Sequence, residues 1–307
     1  HIIIRIQQRL KAKRNTSVVL VNFYIKADLL KCGSAFIFTL MLDFEGFMQT
    51  HPLWTGDSFG LRQFKMPLTD LSTLKPDPIP ENLRLGHRVE HVFAQLITHS
   101  DQYEIIAHNL QIQKEKITLG ELDFILRDAT SRELLHVELS YKFYILDPTL
   151  ETPIQRAMGP NRKDQFFAKM EKTRDKQLPI VFTPNGRLAL QKLCIEPEEL
   201  LQQCCFLGQL FVPYHHEYKD FHPFPKTAVV GYWLGLSAFS MDDFASQSYY
   251  MPTKGEWLHI PHSNVKWQTH VEILAQIIEL HAQERAPMVW IRTTSGSFQK
   301  CFVVWWA

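Results

Sequence analysis

Apolar and polar residues alternate one by one in two stretches of this chain, residues 120–126 and 134–145. Successive side chains of a strand point to opposite faces of a sheet, so this alternation predicts two β-strands, each with one apolar and one polar face. The polar run 128–133 between them is typical of a hairpin loop. The sequence therefore predicts a β-hairpin whose polar side chains gather on one surface.

The polar face of this hairpin would carry several ionisable side chains. They are Glu121 and Asp123 on the first strand and His136, Glu138 and Lys142 on the second. Taken alone, Glu121 and Asp123 would most often be exposed residues of an edge strand, and His136 would most often serve the sheet surface. Three carboxylates and a lysine on one face need water or an ion to compensate their charges. Their combination favours a metal site.

The spacing of apolar residues predicts further elements. Steps of three and four over residues 85–97 indicate an amphipathic helix, with Glu90 near the edge of its apolar stripe. Residues 103–113 have the pattern of a strand, and a helix is predicted for residues 162–177, after a turn-forming Gly-Pro-Asn sequence. The apolar run 178–182 predicts another strand. The order of these elements is helix, three strands, helix, strand.

The last third of the chain gives weaker signals. Residues 197–207 and 271–280 are predicted to be helical, and residues 209–213 to be extended. A closing hairpin is predicted from residues 288–292 and 302–306. These elements would form an α+β extension of the preceding core.

Three segments are expected along the chain. Residues 1–40 are interpreted as a leader upstream of a natural start at Met41 or Met48, residues 41–215 as the core, and residues 216–307 as a C-terminal extension packed on it. Charges interrupt the apolar runs of the leader, leaving them too short to span a membrane. No small-residue cleavage site follows a clean apolar core, so a signal peptide is not expected either.

Charge and cysteine content narrow the possible partners. The 33 basic and 32 acidic residues argue against a basic coat over the whole surface, so any binding of nucleic acid must come from a local patch. The five cysteines have no C-x-x-C spacing, which favours reduced thiols in a cytoplasmic protein over a disulfide framework or a zinc cluster.

One local basic patch is predicted on the helix over residues 162–177. Its basic residues are Arg162, Lys163, Lys169, Lys172 and Lys176, with further cations and acids between them. Such a helix face is usually just solvated. Beside an acidic metal site, however, it could hold a phosphate backbone.

The element order and the sequence Gly120-Glu121-Leu122-Asp123, followed by an acid at Glu138, resemble the PD-(D/E)XK nuclease superfamily. More narrowly, residues 138–143, 159–179 and 251–258 resemble the bacterial family called domain of unknown function 1853, a likeness that runs from about Pro52 to the C-terminus. The resemblance implies an α/β fold with a restriction-endonuclease-like αβββαβ core, a mixed central sheet and a C-terminal α+β extension.

The resemblance also implies roles for single residues. Asp123 and Glu138 would be ligands of Mg²⁺ or Mn²⁺, hard cations that prefer carboxylate oxygens. Glu121 could reach the ion or a bound water, and Glu90 matches an acid often present on the first helix of the superfamily. Lys142 would orient the attacking water and offset the charge of the phosphate.

The lysine departs from the superfamily pattern. The usual position, two residues after the second acid, is held by Ser140. Lys142 keeps the same parity, but at roughly 3.3 Å per residue its Cα lies about 13 Å from that of Glu138 unless a bulge intervenes. Lys169, on the second core helix, is the other candidate, and Lys142 is preferred only slightly.

Three functions follow as expectations. The first is a metal-dependent nuclease that hydrolyses phosphodiester bonds of DNA or RNA. The second, favoured by the displaced lysine, is a catalytically inactive nuclease fold that binds nucleic acid. The third, suggested by the neutral net charge and the aromatic C-terminal third, is a protein-interaction module.

Overall fold

A computed structural model describes residues 35–215 and 221–307. Its α-helices are α1 (Ala35–Met48), α2 (Leu85–His99), α3 (Pro153–Arg156), α4 (Phe166–Lys172), α5 (Pro184–Gln191), α6 (Leu236–Phe239), α7 (Asp242–Ala245) and α8 (His270–His281). Its strands are β1 (Asp57–Ser58), β2 (Leu61–Arg62), β3 (Tyr103–Lys114), β4 (Ile117–Asp128), β5 (Leu134–Leu146), β6 (Ala157–Met158), β7 (Leu200–Pro213), β8 (Val229–Gly235), β9 (Ser248–Tyr250), β10 (Met288–Arg292) and β11 (Phe298–Val304). A π-helical turn, Thr173–Gln177, follows α4, and 3₁₀ turns cover Leu178–Phe182, Pro197–Glu199, Lys226–Ala228 and Lys254–Glu256. The protein is therefore mixed α/β.

One large mixed sheet organises the described residues. Its strands lie in the order β3-β4-β5-β7-β8-β11-β10-β9, and β6 pairs with β5. The pairs β3/β4, β4/β5, β10/β11 and β9/β10 are antiparallel, whereas β5/β7, β7/β8 and β8/β11 are parallel. The predicted division between residues 215 and 216 thus falls between two neighbouring strands of the same sheet, β7 and β8.

The central hairpin and the first core helix were predicted correctly. Strands β4 and β5 pair antiparallel across the loop 129–133. Helix α2 buries its predicted apolar stripe, and the rings of Phe93 and Phe124 lie 4.6 Å apart where it packs on β4. Each fully buried apolar side chain of this kind contributes about 1.5–3 kcal/mol of transfer free energy. This contact places α2 over one face of the sheet.

The opposite face of the sheet is covered by α4 and the turns after it. Phe166 at the start of α4 is fully buried and packs on Tyr144 of β5 and Phe206 of β7, with ring centroids 6.0 and 5.4 Å away. Farther along, Ile180 packs on β4 at Gly120, where a Cβ atom would collide with its side chain. The polar face of β5 is therefore covered by protein at His136, Glu138 and Ser140, which are buried.

Three predicted elements differ from the structure. The helix expected over residues 162–177 begins at Phe166, because Arg162 has a left-handed backbone with φ of 57°, and it ends in the π turn. Residues 178–182 form a 3₁₀ turn, not a strand, with Pro179 in the first turn, where its missing N–H is tolerated. Residues 197–207, predicted to be helical, are a 3₁₀ turn followed by β7.

The remaining predictions have mixed outcomes. The predicted helix over residues 271–280 is confirmed as α8, and the closing hairpin is confirmed as β10 and β11. The predicted leader, residues 1–40, lies outside the described residues except for the first part of α1. The four described cysteines carry free thiols. None of the helices in residues 35–215 and 221–307 has the length and apolar character that crossing a membrane requires.

Candidate functional site

The site begins where β4 and β5 separate. Their ladder runs from the pair Arg127 and Leu134 to the pair Phe124 and Val137, and it stops there. One residue farther, the Asp123 carboxylate takes the place of a backbone acceptor, since its Oδ2 accepts a 2.8 Å hydrogen bond from the backbone N–H of Leu139. Because of this fork, the carboxylate of Asp123 lies beside the polar face of β5.

Glu138, on the other side of the fork, is held by two side-chain partners. Its side chain is buried, with the residue 1 % exposed. Oε1 lies 3.0 Å from Nε2 of His136, and Oε2 accepts a 2.5 Å hydrogen bond from Nε2 of Gln177. The other ring nitrogen of His136, Nδ1, is buried without a hydrogen-bond partner among the described residues. A buried carboxylate is therefore fixed in place without a direct ion pair to any lysine or arginine among residues 35–215 and 221–307.

Gln177 connects this carboxylate to Lys169. Its Oε1 accepts hydrogen bonds from Nζ of Lys169 at 2.8 Å and from Oγ1 of Thr173 at 3.2 Å, while its amide NH₂ donates to Glu138. The two ends of one side-chain amide thus bind a cation and an anion. This arrangement holds Lys169 and Glu138 in a defined mutual position.

The π-helical turn explains how these side chains meet. Lys169, Thr173 and Gln177 are four residues apart, and in a regular α-helix of 3.6 residues per turn such residues drift steadily around the axis. The wider π turn over Thr173–Gln177 turns the chain back, because each of its turns holds more residues. Gln177 consequently returns to the face of the helix that carries Lys169.

The surroundings of Asp123 and of Lys169 change the pKa of each. Burial, aided by the charge of Glu138, raises the pKa of Asp123 to about 7, against the effect of the Leu139 N–H. Burial lowers the pKa of Lys169, and the charges of Glu138 and Asp123 oppose that change. The surroundings of Asp123 therefore disfavour its ionised form, and a nearby cation would stabilise that form.

The other two predicted acids lie near this pair. Partial burial, together with the charge of Glu90, raises the pKa of Glu121, and the charge of Glu90 also acts on Asp123. Glu90 itself is 3.1 Å from Nδ1 of His87. In the described part of the chain, however, no three His, Cys, Asp or Glu side chains are grouped closely enough to hold a metal ion.

Asp123 and Glu138 nevertheless suit a magnesium or manganese ion. Mg²⁺ is usually held by one or two carboxylates and keeps several waters that a substrate phosphate can replace, so a third protein carboxylate is not required. The raised pKa of Asp123 indicates that its ionised carboxylate is disfavoured in the protein alone and would be stabilised by a bound cation. These two residues would hold the ion, with Glu121 and Glu90 contributing negative potential from farther away.

The two candidate lysines have different surroundings. Lys142 donates a 2.6 Å hydrogen bond from Nζ to Oδ2 of Asp164 and forms an ion pair with it. Lys169 is the lysine whose charge acts on both Asp123 and Glu138. The structure thus brings Lys169 to the acids, while Lys142 is paired to an acid on the loop before α4.

A cleft of about 750 Å³ opens next to this group, between β5, the start of α2, and α4 with the loop before it. Of the residues that the structure describes, five lysines line it, against the single acid Asp164: Lys142, Lys163, Lys169, Lys172 and Lys254. Three residues predicted to bind nucleic acid, Lys163, Lys169 and Lys172, are therefore in one cavity.

The other two predicted nucleic-acid residues are not among those that line the cleft. The guanidinium of Arg162 lies 4.5 Å from the ring centroid of Trp306 and 3.4 Å from the carboxylate of Asp147. Lys176 is exposed. The basic face predicted on one helix is thus divided, because residues 162–165 are not helical.

Sequence reasoning missed two residues of this region, Gln177 and Lys254, and the burial of two others. The polar spacing Lys169, Thr173, Gln177 was a signal for Gln177, although only the π turn brings it to Glu138. The alternation that placed His136 and Glu138 on one strand face gave no indication that both would be buried. Lys254 comes from a distant 3₁₀ turn, and no local pattern connected it with the cleft.

Comparison with known proteins gives the family of the chain. No curated protein and no solved structure matches it. A family model does match, over residues 65–304, which confirms for this range the narrower of the two resemblances. Because the match covers most of the sequence, the chain belongs to the family described as Domain of unknown function (DUF1853).

Proposed function

We propose that this protein is a metal-dependent nuclease that hydrolyses phosphodiester bonds of DNA or RNA. The observation that carries the proposal is the meeting of Asp123, Glu138 and Lys169 at the fork of β4 and β5, beside a cleft rich in lysine. A carboxylate pair next to a cation and a lysine-lined cleft suits phosphoryl transfer to water.

The residues divide the chemistry among themselves. Asp123 and Glu138 would hold Mg²⁺ or Mn²⁺, which supplies charge stabilisation for the phosphate and lowers the pKa of water. Lys169 donates a hydrogen bond from Nζ to a nonbridging phosphate oxygen, and Gln177 keeps that ammonium group beside Glu138. Lysines of the cleft bind the flanking phosphates, so that the scissile bond faces the acids.

The fold supports the same proposal at a coarser level. Helix α2, the antiparallel strands β3, β4 and β5, helix α4 and the parallel strand β7 occur in this order along the chain, with α3 and β6 before α4 and α5 before β7. This is the element order of the restriction-endonuclease-like core of the PD-(D/E)XK superfamily, and we propose that relationship. The free thiols are in keeping with the proposed cytoplasmic location.

A second candidate function is binding of nucleic acid without cleavage. It is favoured by the ion pair between Lys142 and Asp164, and by the protein partners already present at both oxygens of Glu138. In that case the acids would only position the strand. The two functions predict the same binding but different chemistry.

The deciding experiment is incubation of the purified protein with mixed DNA and RNA in Mn²⁺, beside Asp123→Asn. Asp128→Asn is the matched control, since Asp128 caps the loop of the same hairpin through hydrogen bonds from Thr130 and Ser131. We expect hydrolysis by the wild type and by the control, and its loss in Asp123→Asn.

Two further measurements separate the alternatives. Calorimetry should detect Mn²⁺ binding that depends on Asp123, and Lys169→Met should lower kcat more than Lys142→Met does. Salt-sensitive binding without hydrolysis would favour the inactive fold. If the protein neither binds nor hydrolyses nucleic acid, the nuclease proposal is refuted and the protein-interaction module remains.

A further inference from the structure

The lysine cleft has two chemically different walls. Its cations are joined by parts of four mostly apolar side chains of β5 and of the segment 253–259: Leu139 and Tyr141, which are partly exposed, and Phe143 and Trp257, which are 7 % and 9 % exposed. The outside of a nucleic-acid duplex presents phosphates and sugars, because its bases are stacked inside. A single strand presents both phosphates and unpaired bases, and proteins bind it with a cationic groove joined to apolar or aromatic surface.

We infer that the cleft binds a single strand of nucleic acid, with its phosphates on the lysines and its bases against the apolar wall, and that Lys254 of the C-terminal third is one of the phosphate ligands. This inference rests on the proposed function for its choice of polyanion. It adds the strandedness of the substrate and a role for a segment distant from the acids.

The position of Lys254 is fixed by its own turn. Thr253 donates hydrogen bonds from its backbone N–H and its Oγ1 to Oε2 of Glu256, both at 2.8 Å, which closes a capping box around Lys254. The ammonium group of Lys254 lies 5.6 Å from the ring centroid of Trp257. The cation and the apolar wall are therefore adjacent within one short segment.

Buried contacts anchor the same segment from behind. His259 Nε2 and Arg88 Nε lie 2.8 Å from the two carboxylate oxygens of Asp43 on α1. The backbone carbonyl of Trp257 accepts a 3.4 Å hydrogen bond from Nζ of Lys300, a residue only 5 % exposed. These contacts tie segment 253–259 to α1, α2 and β11, so this wall of the cleft is a built part of the fold.

The start of α2 adds to the positive character of the cleft. Leu85 and Gly86 line it, and the first turn of α2 contains no acidic residue. Backbone N–H groups at a helix start carry partial positive charge. With five lysines and one acid around it, the cleft favours a ligand that carries several negative charges.

The test is fluorescence anisotropy without divalent metal, so that binding is measured in the absence of hydrolysis. The probe is a labelled oligothymidylate, compared with a duplex of equal length and with inorganic polyphosphate as a competitor that has no bases. The variants are Lys254→Ala and, from the opposite wall, Lys172→Ala. Lys226→Ala is the control, because Lys226 is an exposed lysine that is not among the residues lining the cleft.

We expect the wild type to prefer the single strand over both the duplex and polyphosphate. Each cleft variant should make the slope of log K against log salt shallower by about 0.7, which is the value for one phosphate contact on a single strand. Lys226→Ala should leave the slope unchanged. A thermal melt confirms that each variant is folded.

Three results overturn the inference: no binding by the wild type, equal binding of duplex or polyphosphate, or an unchanged salt slope in both cleft variants. These failures are distinguishable from failure of the proposed function. Hydrolysis that depends on Asp123 but not on Lys254 would leave the nuclease standing without this strand site. Binding that depends on Lys254, without any hydrolysis, would support this strand site and refute the nuclease proposal.

Discussion

Replacing Asp123 by Asn tests the electrostatics of the site through protein stability. Burial and the charge of Glu138 raise the pKa of Asp123 from an ordinary 3.8 to about 7 in the folded protein. Well below pH 3.8 the group is protonated in both folded and unfolded chains and makes no difference. As the pH rises toward 7, the unfolded chain loses this proton first, so the folded state loses stability.

The size of the effect follows from the pKa difference. From 3.8 to about 7, at about 1.4 kcal/mol for each pH unit, the penalty reaches about 4 kcal/mol as an upper value. Asn removes the charge and keeps a carbonyl oxygen that can accept the hydrogen bond of the Leu139 N–H. We therefore expect Asp123→Asn to be more stable than the wild type at pH 8 and equally stable near pH 4.

Urea denaturation of both proteins from pH 4 to pH 8 measures this difference. Asp128→Asn is the control of opposite sign, since backbone hydrogen bonds from Ser131 and Thr130 lower the pKa of Asp128 and its ionised form is the favoured one. Adding Mn²⁺ at pH 8 should stabilise the wild type and not Asp123→Asn. If Asp123→Asn lost stability at pH 8, or if its advantage did not depend on pH, the electrostatic reasoning would be refuted.

Three further predictions concern the surroundings of the site. Gln177→Leu leaves Glu138 and Lys169 without their shared partner, so urea denaturation should give a loss of about 1–3 kcal/mol, and an unchanged midpoint would contradict the bridge. Burial lowers the pKa of Lys300 to about 7, below its value in the unfolded chain, so the stability advantage of Lys300→Met should be largest below pH 7 and shrink toward pH 10; a constant difference would argue against it. Phe166→Ala removes a fully buried ring and should lower the free energy of unfolding by about 3–5 kcal/mol; a loss under 1 kcal/mol would show that the contact is unimportant.

The predictable parts of the fold are those whose two faces differ. Helix α2 has a buried apolar stripe on one side and polar, solvent-exposed residues on the other, and β4 and β5 alternate between apolar and polar residues. Their periodicity could therefore be recognised in the sequence. Strand β7 is buried on both faces and pairs with a parallel strand on each side. Its apolar run over residues 204–211 therefore has no alternation, and the preceding Pro-Glu-Glu sequence resembled a helix start.

The candidate site was predictable only as far as neighbouring strands determine it. Asp123 and Glu138 meet through one hairpin, whose loop and register follow from local sequence. Which lysine lies beside the acids depends on two contacts. Asp164 forms an ion pair with Lys142, and Gln177 accepts a hydrogen bond from Lys169. Neither of these two contacts follows from spacing along the chain. Both depend on the loop before α4 and on the π turn after it, and the sequence pattern predicted one regular helix over this whole segment.

The parallel pairing of β5 with β7 has a consequence for the order of folding. Hairpin β4–β5 closes over a loop of a few residues, so its acids can meet early. The register from Leu134 and Leu200 to Ile145 and Phe211 requires closure of the long crossover that carries Lys169 and Gln177, and such closure is slow. A hairpin that forms first would bring Asp123 and Glu138 together, with Lys142 on the same strand, before Lys169 and Gln177 arrive. A chain in which only this hairpin has formed would repel polyanions in the absence of divalent metal. Its cleft would form only when β5 and β7 pair at the centre of the sheet.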